Sequence, residues 1–410
     1  MNKKYFGALV LVAAVSGCSQ APLTHDELFT VDTHVDILRI EDAGDKNYLD
    51  LPDVQVDLRK MKAGGLDAAF FILFSQQGDL TPEGYAAAKE EALARYATIR
   101  RMLDRHPELI ELARSVDDAR RIHASGKQVA FLGMENGFPL ATDPANLQQY
   151  FELGVRYLGI MHMGHNDLGD SADPSRERRE KKTLHGGLTD AGRAMVAESN
   201  RLGIMVDVSH AQRETSIELA QVSKAPVIAS HSAVRALNDI TRNMDDDQLR
   251  AVQESGGVVQ VVAFNSHLKK NPPERLPALL KMFRELGLTQ GMPDVDAMSP
   301  EVREKYLAGY AEVDAKWPKV TATVADFVDH IDYAVALIGI DHVGIASDFG
   351  GGGGVEGWQN AAETPNVTAE LVARGYSWKD IQKLWGGNLL RVMDEVQDVA
   401  KAVQRADAAR

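Results

Sequence analysis

The first residues in the chain whose types and spacing could bind a metal are His34 and Asp36. They end the apolar stretch Phe29 to Ile37, a pattern that predicts a short buried strand. Because side chains two positions apart on a strand point to the same face, the imidazole and the carboxylate project together. Nitrogen and oxygen donors in that arrangement suit a borderline divalent cation. Taken alone, the pair also fits a solvated strand end that carries a hydrogen-bonded histidine.

Ligand-type side chains recur at the ends of later apolar runs. Glu135 ends the third run, Asp348 ends the eighth, and His162, His210 and His231 end the fourth, fifth and sixth. One such histidine is usually structural, but endings of this kind on six of eight runs are hard to attribute to chance. Neutral imidazole serves as a terminal ligand, whereas a carboxylate can bridge two ions through its two oxygens. Two ions held this way can share an activated water and polarise a carbonyl.

The elements that must bring these side chains together are eight strand-like runs. They cover residues 29–37, 66–74, 129–137, 155–162, 203–210, 226–231, 257–264 and 342–348. Most are separated by stretches with helical signals, which predicts an α/β fold, a (β/α)8 TIM-type barrel. In that fold the strand ends meet at one mouth, where the βα loops begin. A doubly wound open sheet is the alternative, but no glycine-rich dinucleotide fingerprint follows any strand.

The alternation of strands and helices breaks after the seventh strand. Residues 267–321 contain two helical stretches, Leu276 to Leu286 and Pro300 to Lys316, and no strand-like run, so we interpret this segment as a helical insertion. Further helical stretches follow the eighth strand. We therefore predict a single barrel domain over residues 27–410, with this insertion and C-terminal helices. Among the connecting helices, one is predicted over residues 54–64.

The N-terminus predicts export. Met1 to Lys4 is basic, Tyr5 to Val15 is apolar, and two small residues precede Cys18, the single cysteine of the chain. This pattern is typical of a secretory signal peptide and is too short to span a membrane as a helix. Val15-Ser16-Gly17-Cys18 resembles a bacterial lipobox, in which the cysteine becomes the lipidated first residue. The alternative is an ordinary signal peptide with a chance cysteine.

If this motif is a lipobox, the N-terminus divides into two predicted segments. Residues 1–18 would be a lipoprotein signal peptide, residues 19–26 a tether, and Cys18 the site of lipidation. The protein would then be an exported bacterial lipoprotein on the periplasmic side, and Ser19 after the cysteine favours the outer membrane. We expect contact with the membrane through the lipid anchor only.

Composition and charge exclude other classes of protein. The chain has 410 residues, of which 44% are hydrophobic and 25% are charged, as in ordinary globular proteins. Its net charge of -14 argues against nucleic acid as a partner, because binding a polyanion requires a basic surface.

Eight short motifs follow one another in a specific order. They are Asp32-Thr33-His34-Val35-Asp36, Gly133-Met134-Glu135-Asn136-Gly137, Val155-Arg156-Tyr157-Leu158 with His162, Val206-Asp207-Val208-Ser209-His210, Ala229-Ser230-His231-Ser232, Thr241-Arg242-Asn243-Met244, His342-Val343-Gly344-Ile345-Ala346-Ser347-Asp348-Phe349 and Gly386-Gly387-Asn388-Leu389-Leu390-Arg391-Val392. In this order they resemble the membrane (renal) dipeptidase family, zinc dipeptidases of the amidohydrolase-like barrel class. The resemblance runs from about Phe29 to Val392.

The resemblance implies a binuclear zinc dipeptidase that hydrolyses the peptide bond of dipeptides with a metal-bridging water. His34 and Asp36 would bind one Zn²⁺ ion and His210 and His231 the second, while Glu135 would bridge both. The substrate is then a dipeptide with a free C-terminal carboxylate. A homodimer is compatible with the resemblance.

The resemblance also implies roles for three residues that contact the substrate. Asp348 would handle the proton of the bridging water, His162 would stabilise the oxyanion, and Arg242 would bind the terminal carboxylate. His165 competes with His162 for its role, because the motif that follows His162 is only partly kept. Without the resemblance, Arg242 would be interpreted as a solvated side chain pairing with an acidic residue of 245–247. The remaining histidines are expected to be surface or structural residues: His25, His106, His123, His185, His267, His330 and His342.

Two other functions remain open at this point. The first is an amidohydrolase that acts on N-acyl amino acids or lactams, which differs from a dipeptidase in not requiring both free termini of its substrate. The second is a non-catalytic metal-binding lipoprotein. Degraded ligand positions would indicate the second, yet all seven key side chains are present.

Overall fold

Eight parallel strands form a nearly closed barrel in the computed structural model, which describes residues 24–38, 40–44, 46–175, 178–288 and 298–409. The predicted signal peptide, Cys18 and most of the predicted tether lie outside the described residues. The strands are β1 Val31–Asp36, β2 Ala68–Phe74, β3 Ile110–Leu112, β4 Gln128–Glu135, β5 Val155–Gly159, β6 Met205–Asp207, β7 Ile228–Ser232, β8 Val258–Val262 and β9 Val343–Ala346.

The strand order confirms the (β/α)8 TIM-type barrel. The sheet runs β1-β2-β4-β5-β6-β7-β8-β9, and the short β3, which was not predicted, pairs with β4. Two backbone hydrogen bonds join the two edges of the sheet, β1 and the segment that follows β9. Asp36 donates to the carbonyl of Phe349 at 2.8 Å, and Asp348 donates to the carbonyl of His34 at 3.1 Å. The loops after β1 and β9 therefore meet at the same edge of the barrel mouth.

The helices cover the outside of this barrel. They are α1 Ile40–Ala43, α2 Leu58–Ala63, α3 Pro82–Arg105, α4 Val116–Ala124, α5 Leu147–Leu153, α6 Asp190–Leu202, α7 Arg213–Val222, α8 Asp246–Glu254, α9 Asn265–Leu268, α10 Arg275–Glu285, α11 Pro300–Lys316, α12 Val324–Ile338, α13 Pro365–Ala373, α14 Trp378–Gln382 and α15 Asn388–Ala408. Between β8 and α12 the described residues form helices and no strand. In the part of the chain that is described, no helix is long and apolar enough to cross a bilayer.

The helix predicted over residues 54–64 is shorter than expected. It begins at Leu58, because the side chain of Asp57 accepts a hydrogen bond from the backbone nitrogen of Lys60 at 2.8 Å and so caps the first turn. Residues 54–57 lie outside the helix, and the side chain of Gln55 contacts another loop.

Large aromatic side chains fill the barrel interior below the mouth. The rings of Phe70 and Phe131 stack at 4.7 Å, and the ring of Tyr157 lies 5.3 Å from that of Phe70. All three side chains are fully buried. A packed interior of this kind is a rigid floor rather than a pore, so the mouth above it can hold side chains in fixed positions.

Five of the eight barrel strands, β4, β5, β6, β8 and β9, end two or three residues earlier than predicted. Three of these ends are followed by a residue with a positive φ. The backbone becomes left-handed at Asn136 (φ 75°), His210 (φ 64°) and Asp348 (φ 59°), and a strand cannot continue through such a residue. Because β5, β6 and β9 end at Gly159, Asp207 and Ala346, the residues His162, His210 and Asp348 lie in the loops that follow these strands. His34, Asp36, Glu135 and His231 lie within strands.

Candidate metal centre and substrate cavity

Glu135, the last residue of β4, lies at the centre of the cluster. Its Oε1 is 3.1 Å from Nε2 of His210 and 3.3 Å from Nε2 of His231. Its Oε2 is 3.5 Å from Nε2 of His34. The two oxygens of one buried carboxylate thus face two different sets of imidazoles, which is the arrangement that a bridging ligand requires.

The Oε2 side of Glu135 carries two further carboxylates. Nε2 of His34 is 3.6 Å from Oδ2 of Asp36 and 4.0 Å from Oδ1 of Asp348. The structure therefore brings together every residue that the sequence predicted for the metal site, together with Asp348. Their ligand atoms form three groups, each within 4.8 Å: His34, Glu135 and His231; Glu135, His162 and His210; and His34, Asp36 and Asp348.

The electrostatics of the cluster fit bound cations. Although burial opposes protonation, the carboxylates of Glu135 and Asp36 hold the pKa of His34 well above its ordinary value. Burial, reinforced by the like charges of Asp36 and Glu135, raises the pKa of Asp348 well above its usual range. The raised pKa of His34 reflects nearby negative charge that a metal ion would balance.

The imidazoles of His210 and His231, on the Oε1 side of Glu135, are also suited to binding a cation. Burial holds the pKa of His210 and of His231 well below the ordinary value, so both are neutral, the form that ligates a metal. Their Nε2 atoms are only 2.9 Å apart. Despite its burial, the facing histidines hold the pKa of Glu135 well below normal, so this carboxylate is ionised. The donor set, imidazole nitrogen with carboxylate oxygen, suits Zn²⁺.

Residues behind the ligands fix the orientation of two imidazoles. The hydroxyl of Tyr157 is 2.8 Å from Nδ1 of His34, and the hydroxyl of Ser230 is 2.8 Å from Nδ1 of His231. Ser230 in turn donates to Oδ2 of Asp207 at 2.6 Å. Such contacts direct each Nε2 into the cluster. These three orienting residues belong to the motifs quoted above, but the sequence analysis gave them no role.

The structure separates the roles of His162 and His165. Nε2 of His162 is 3.9 Å from Oε1 of Glu135, and its ring packs edge-on against Phe74 with centroids 4.8 Å apart. His165 is buried elsewhere, with Nε2 2.8 Å from the carbonyl of Lys181 and Nδ1 accepting from the backbone nitrogen of Ser171 at 3.0 Å. His162 therefore faces the cluster, and His165 organises the loop after β5.

Arg242 is buried beside the metal-ligand cluster rather than solvated. Its guanidinium donates to the hydroxyl of Ser232 at 3.1 Å and to the carbonyl of His231 at 2.8 Å. Its Nε is buried and has no hydrogen-bond partner among the described residues. The acidic residue Asp245 instead accepts from Arg213 at 2.6 Å, so the alternative interpretation of Arg242 as a surface ion-pair residue is wrong.

A cavity of about 620 Å³ opens above the cluster. This volume is within the range of small-molecule sites. Its lining includes Glu135, His162, Arg242 and Asp348. It also includes residues that the sequence analysis did not single out: Gln55, Phe74, Arg95, Asp173, Phe264 and His267.

His267 was expected to be a surface or structural residue, and the structure places it in the cavity lining. Its ring stacks on that of Phe264 with centroids 4.4 Å apart, and its Nδ1 is buried without a partner in the described part of the chain. The available signal was its place just beyond the seventh predicted strand, on the catalytic side of the barrel.

A histidine and carboxylate cluster at the mouth of a (β/α)8 barrel, open to a cavity, defines the metal-dependent hydrolase class. Within that class, residues 19–407 match the family model described as membrane dipeptidase (peptidase family M19). The chain therefore belongs to the membrane dipeptidase family and is a dipeptidase, a hydrolase.

Individual relatives agree with the family match. The dipeptidase aclJ of Aspergillus oryzae (strain ATCC 42149 / RIB 40) is 31% identical over 354 residues, which cover 85% of this chain and 72% of that protein. The crystal structure of the probable dipeptidase PvdM from Pseudomonas aeruginosa is 34% identical and has a TM-score of 0.80, covering 92% of this chain and 97% of that one. A metallopeptidase from Rhodobacter sphaeroides has been solved with a phosphinate mimic of the dipeptide L-Ala-D-Ala. It is 23% identical and has a TM-score of 0.69, covering 90% of this chain and 99% of that one. At this level of identity it supports the fold alone.

Proposed function

We propose that this dipeptidase is a metallo-dipeptidase, a binuclear zinc enzyme with two ions per subunit. The observation that carries the proposal is the position of Glu135, whose Oε2 faces His34 and whose Oε1 faces His210 and His231. We assign His34 and Asp36 to one ion, His210 and His231 to the other, and Glu135 to both. When bound, two such ions lower the pKa of a shared water and polarise the peptide carbonyl.

Three residues around the cluster would handle the substrate and its protons. Arg242, a fixed guanidinium fork, binds the C-terminal carboxylate of the dipeptide. Asp348 accepts the proton of the attacking water, since its carboxylate lies on the Oε2 side of Glu135. His162, whose pKa is lowered by burial, is neutral and donates its N–H to the carbonyl oxygen as negative charge develops there.

A substrate panel tests this proposal. The purified protein is stripped with a chelator, reconstituted with zinc, and assayed on dipeptides, on their C-terminal amides and on the matching N-acetyl dipeptides. We expect two zinc ions per chain by elemental analysis, hydrolysis of free dipeptides, and no turnover by the stripped protein. Equal turnover of N-acyl substrates would favour the amidohydrolase alternative instead. Metal binding without hydrolysis of any substrate would favour the non-catalytic alternative.

We also propose that the enzyme is an exported lipoprotein anchored through Cys18. Support for this comes from the signal-like N-terminus and the lipobox-like Val15-Ser16-Gly17-Cys18. Cys18→Ser should release the protein from the outer-membrane fraction into the soluble periplasmic fraction and abolish incorporation of labelled palmitate. A wild-type protein found only in soluble fractions would contradict the anchor. Sedimentation of the purified enzyme would show whether it is a monomer or a homodimer.

A further inference from the structure

The glycine run of residues 350–354 folds back against two carboxylates of the cluster. A Cβ atom on Gly351 would lie 2.4 Å from Oδ2 of Asp36 and 2.4 Å from Oδ1 of Asp348. Atoms this close overlap, so any side chain at this position would displace both carboxylates. The loop therefore approaches the carboxylates of Asp36 and Asp348 as closely as only glycine permits.

The neighbouring glycines are constrained as well. Gly350 has a left-handed backbone (φ +85°), and a Cβ there would lie 2.5 Å from the carbonyl oxygen of Asp36. Gly353 donates to the carbonyl of Asp348 at 2.8 Å. Asp348 itself has a φ of 59°, which is unfavourable for a residue with a side chain and persists only when its surroundings hold it. The loop is part of those surroundings.

Gln55, in the segment before α2, binds this loop through its side-chain amide. Its Oε1 accepts from the backbone nitrogen of Gly350 at 2.9 Å, and its Nε2 donates to the carbonyls of Gly353 and Gln359, both at 2.9 Å. One side-chain amide thus connects both ends of the loop that covers Asp36 and Asp348. Gln55 and Gly351 also line the cavity.

We propose that Gln55 and Gly351 are positioning residues for the metal ion on the His34 side of the cluster. Gln55 holds the loop in place, and Gly351 leaves the space that the carboxylates of Asp36 and Asp348 occupy. This inference rests on the proposed two-metal centre. The effect is selective, because the loop packs at the junction of β1 and β9, whereas His210 and His231 follow β6 and lie in β7.

The test compares Gln55→Leu and Gly351→Ala with two matched controls in the full chain. Gln397→Leu removes an amide that also donates to a backbone carbonyl, that of Arg114, but lies outside the cavity lining. Gly375→Ala replaces a glycine with φ +86° and no atom within 4 Å of its Cβ position. For each protein, zinc binding is titrated against a chelator, and Tm is measured with and without zinc.

We expect one of the two ions to bind roughly 10–100-fold more weakly in each test variant, the usual effect of removing support behind a ligand. The second ion should bind as in the wild type. The gain in Tm on adding zinc should shrink, in addition to any fall in the Tm of the zinc-free protein that the lost hydrogen bonds or the overlap at Gly351 cause. Both controls should match the wild type in zinc affinity and in the zinc-dependent gain in Tm.

Two outcomes would overturn the inference alone, and a third would also contradict the proposed function. Unchanged affinity for both ions would show that the loop does not position the ligands. A lower Tm of the zinc-free protein with an unchanged gain on adding zinc would show a purely structural role. If Gln55→Leu fails to fold, Gly351→Ala decides between these results. A wild-type protein that binds no zinc would contradict the proposed function, and this inference with it.

Discussion

The guanidinium of Arg242 donates a hydrogen bond to the backbone carbonyl of His231 over 2.8 Å. Arg242, which we propose binds the substrate carboxylate, is thus hydrogen-bonded to β7, the strand that carries the proposed zinc ligand His231. A second bond, to the hydroxyl of Ser232, fixes the guanidinium plane. These two bonds hold the guanidinium beside the proposed zinc ligands, so a dipeptide bound by its carboxylate would lie next to the metal centre.

Replacing Arg242 should therefore impair catalysis as well as binding. Arg242→Ala is expected to lower kcat/KM by roughly 2–4 kcal/mol, the usual penalty for truncating one side of a buried charge pair. Arg242→Lys should also be damaging, because a point charge cannot reproduce a bidentate fork. The measurement is kcat/KM for a dipeptide and for its C-terminal amide.

The wild-type enzyme should strongly prefer the free acid, and the Arg242→Ala variant should lose most of this preference. Arg213→Ala is the matched control, because Arg213 forms the surface contact with Asp245 that Arg242 does not form. If the wild type and Arg242→Ala prefer the dipeptide over its C-terminal amide to the same extent, another residue binds the carboxylate.

Glu135→Gln should disrupt the metal centre while keeping the shape of the side chain. The change removes the negative charge that faces imidazoles on both sides, so we expect loss of at least one zinc ion and of nearly all activity. Elemental analysis and dipeptide turnover measure the two effects. Glu111→Gln, at a partly exposed carboxylate that pairs with Arg121, is the control. Normal zinc content together with normal turnover would refute the bridging role.

Asp348→Asn should separate proton transfer from metal binding. The amide cannot accept the proton of the attacking water, and losses of a general base are typically about 10²–10⁴-fold in rate. Zinc content should stay near that of the wild type if Asp348 is not an essential ligand. A variant that keeps both its zinc and most of its kcat would leave Asp348 with a structural role only.

Tyr157→Phe should weaken metal binding without disturbing the barrel interior. It removes only the hydroxyl that lies 2.8 Å from Nδ1 of His34. We expect roughly 10–100-fold weaker binding of one zinc ion, by titration against a chelator. Tyr150→Phe is a close control, because Tyr150 is equally buried and its hydroxyl has no partner among the described residues. The same loss in both variants would point to general destabilisation.

The sequence alone was sufficient to predict the barrel and the types of residue that lie at its mouth. Apolar runs such as Leu66 to Phe74 reveal a strand through local pattern, and parallel strands joined by helices bring their ends to one side. The meeting of His34 with His231, from distant strands, follows from that topology without any knowledge of side-chain contacts. The motif order then indicated the family.

Only the tertiary structure decided how individual side chains are used. Nothing local distinguishes His162 from His165, or shows that Asp245 pairs with Arg213 and leaves Arg242 buried. These outcomes depend on burial and on contacts between segments far apart in the chain.

Gln55 illustrates the physical reason most clearly. It is an ordinary polar residue before a helix, and the backbone nitrogen that it binds, that of Gly350, lies 295 positions away. Local pattern reports which residues form an element, because that depends on near neighbours. Which polar groups satisfy one another in the folded interior depends on the closure of the whole barrel, since only that closure brings the loops after β1 and β9 together.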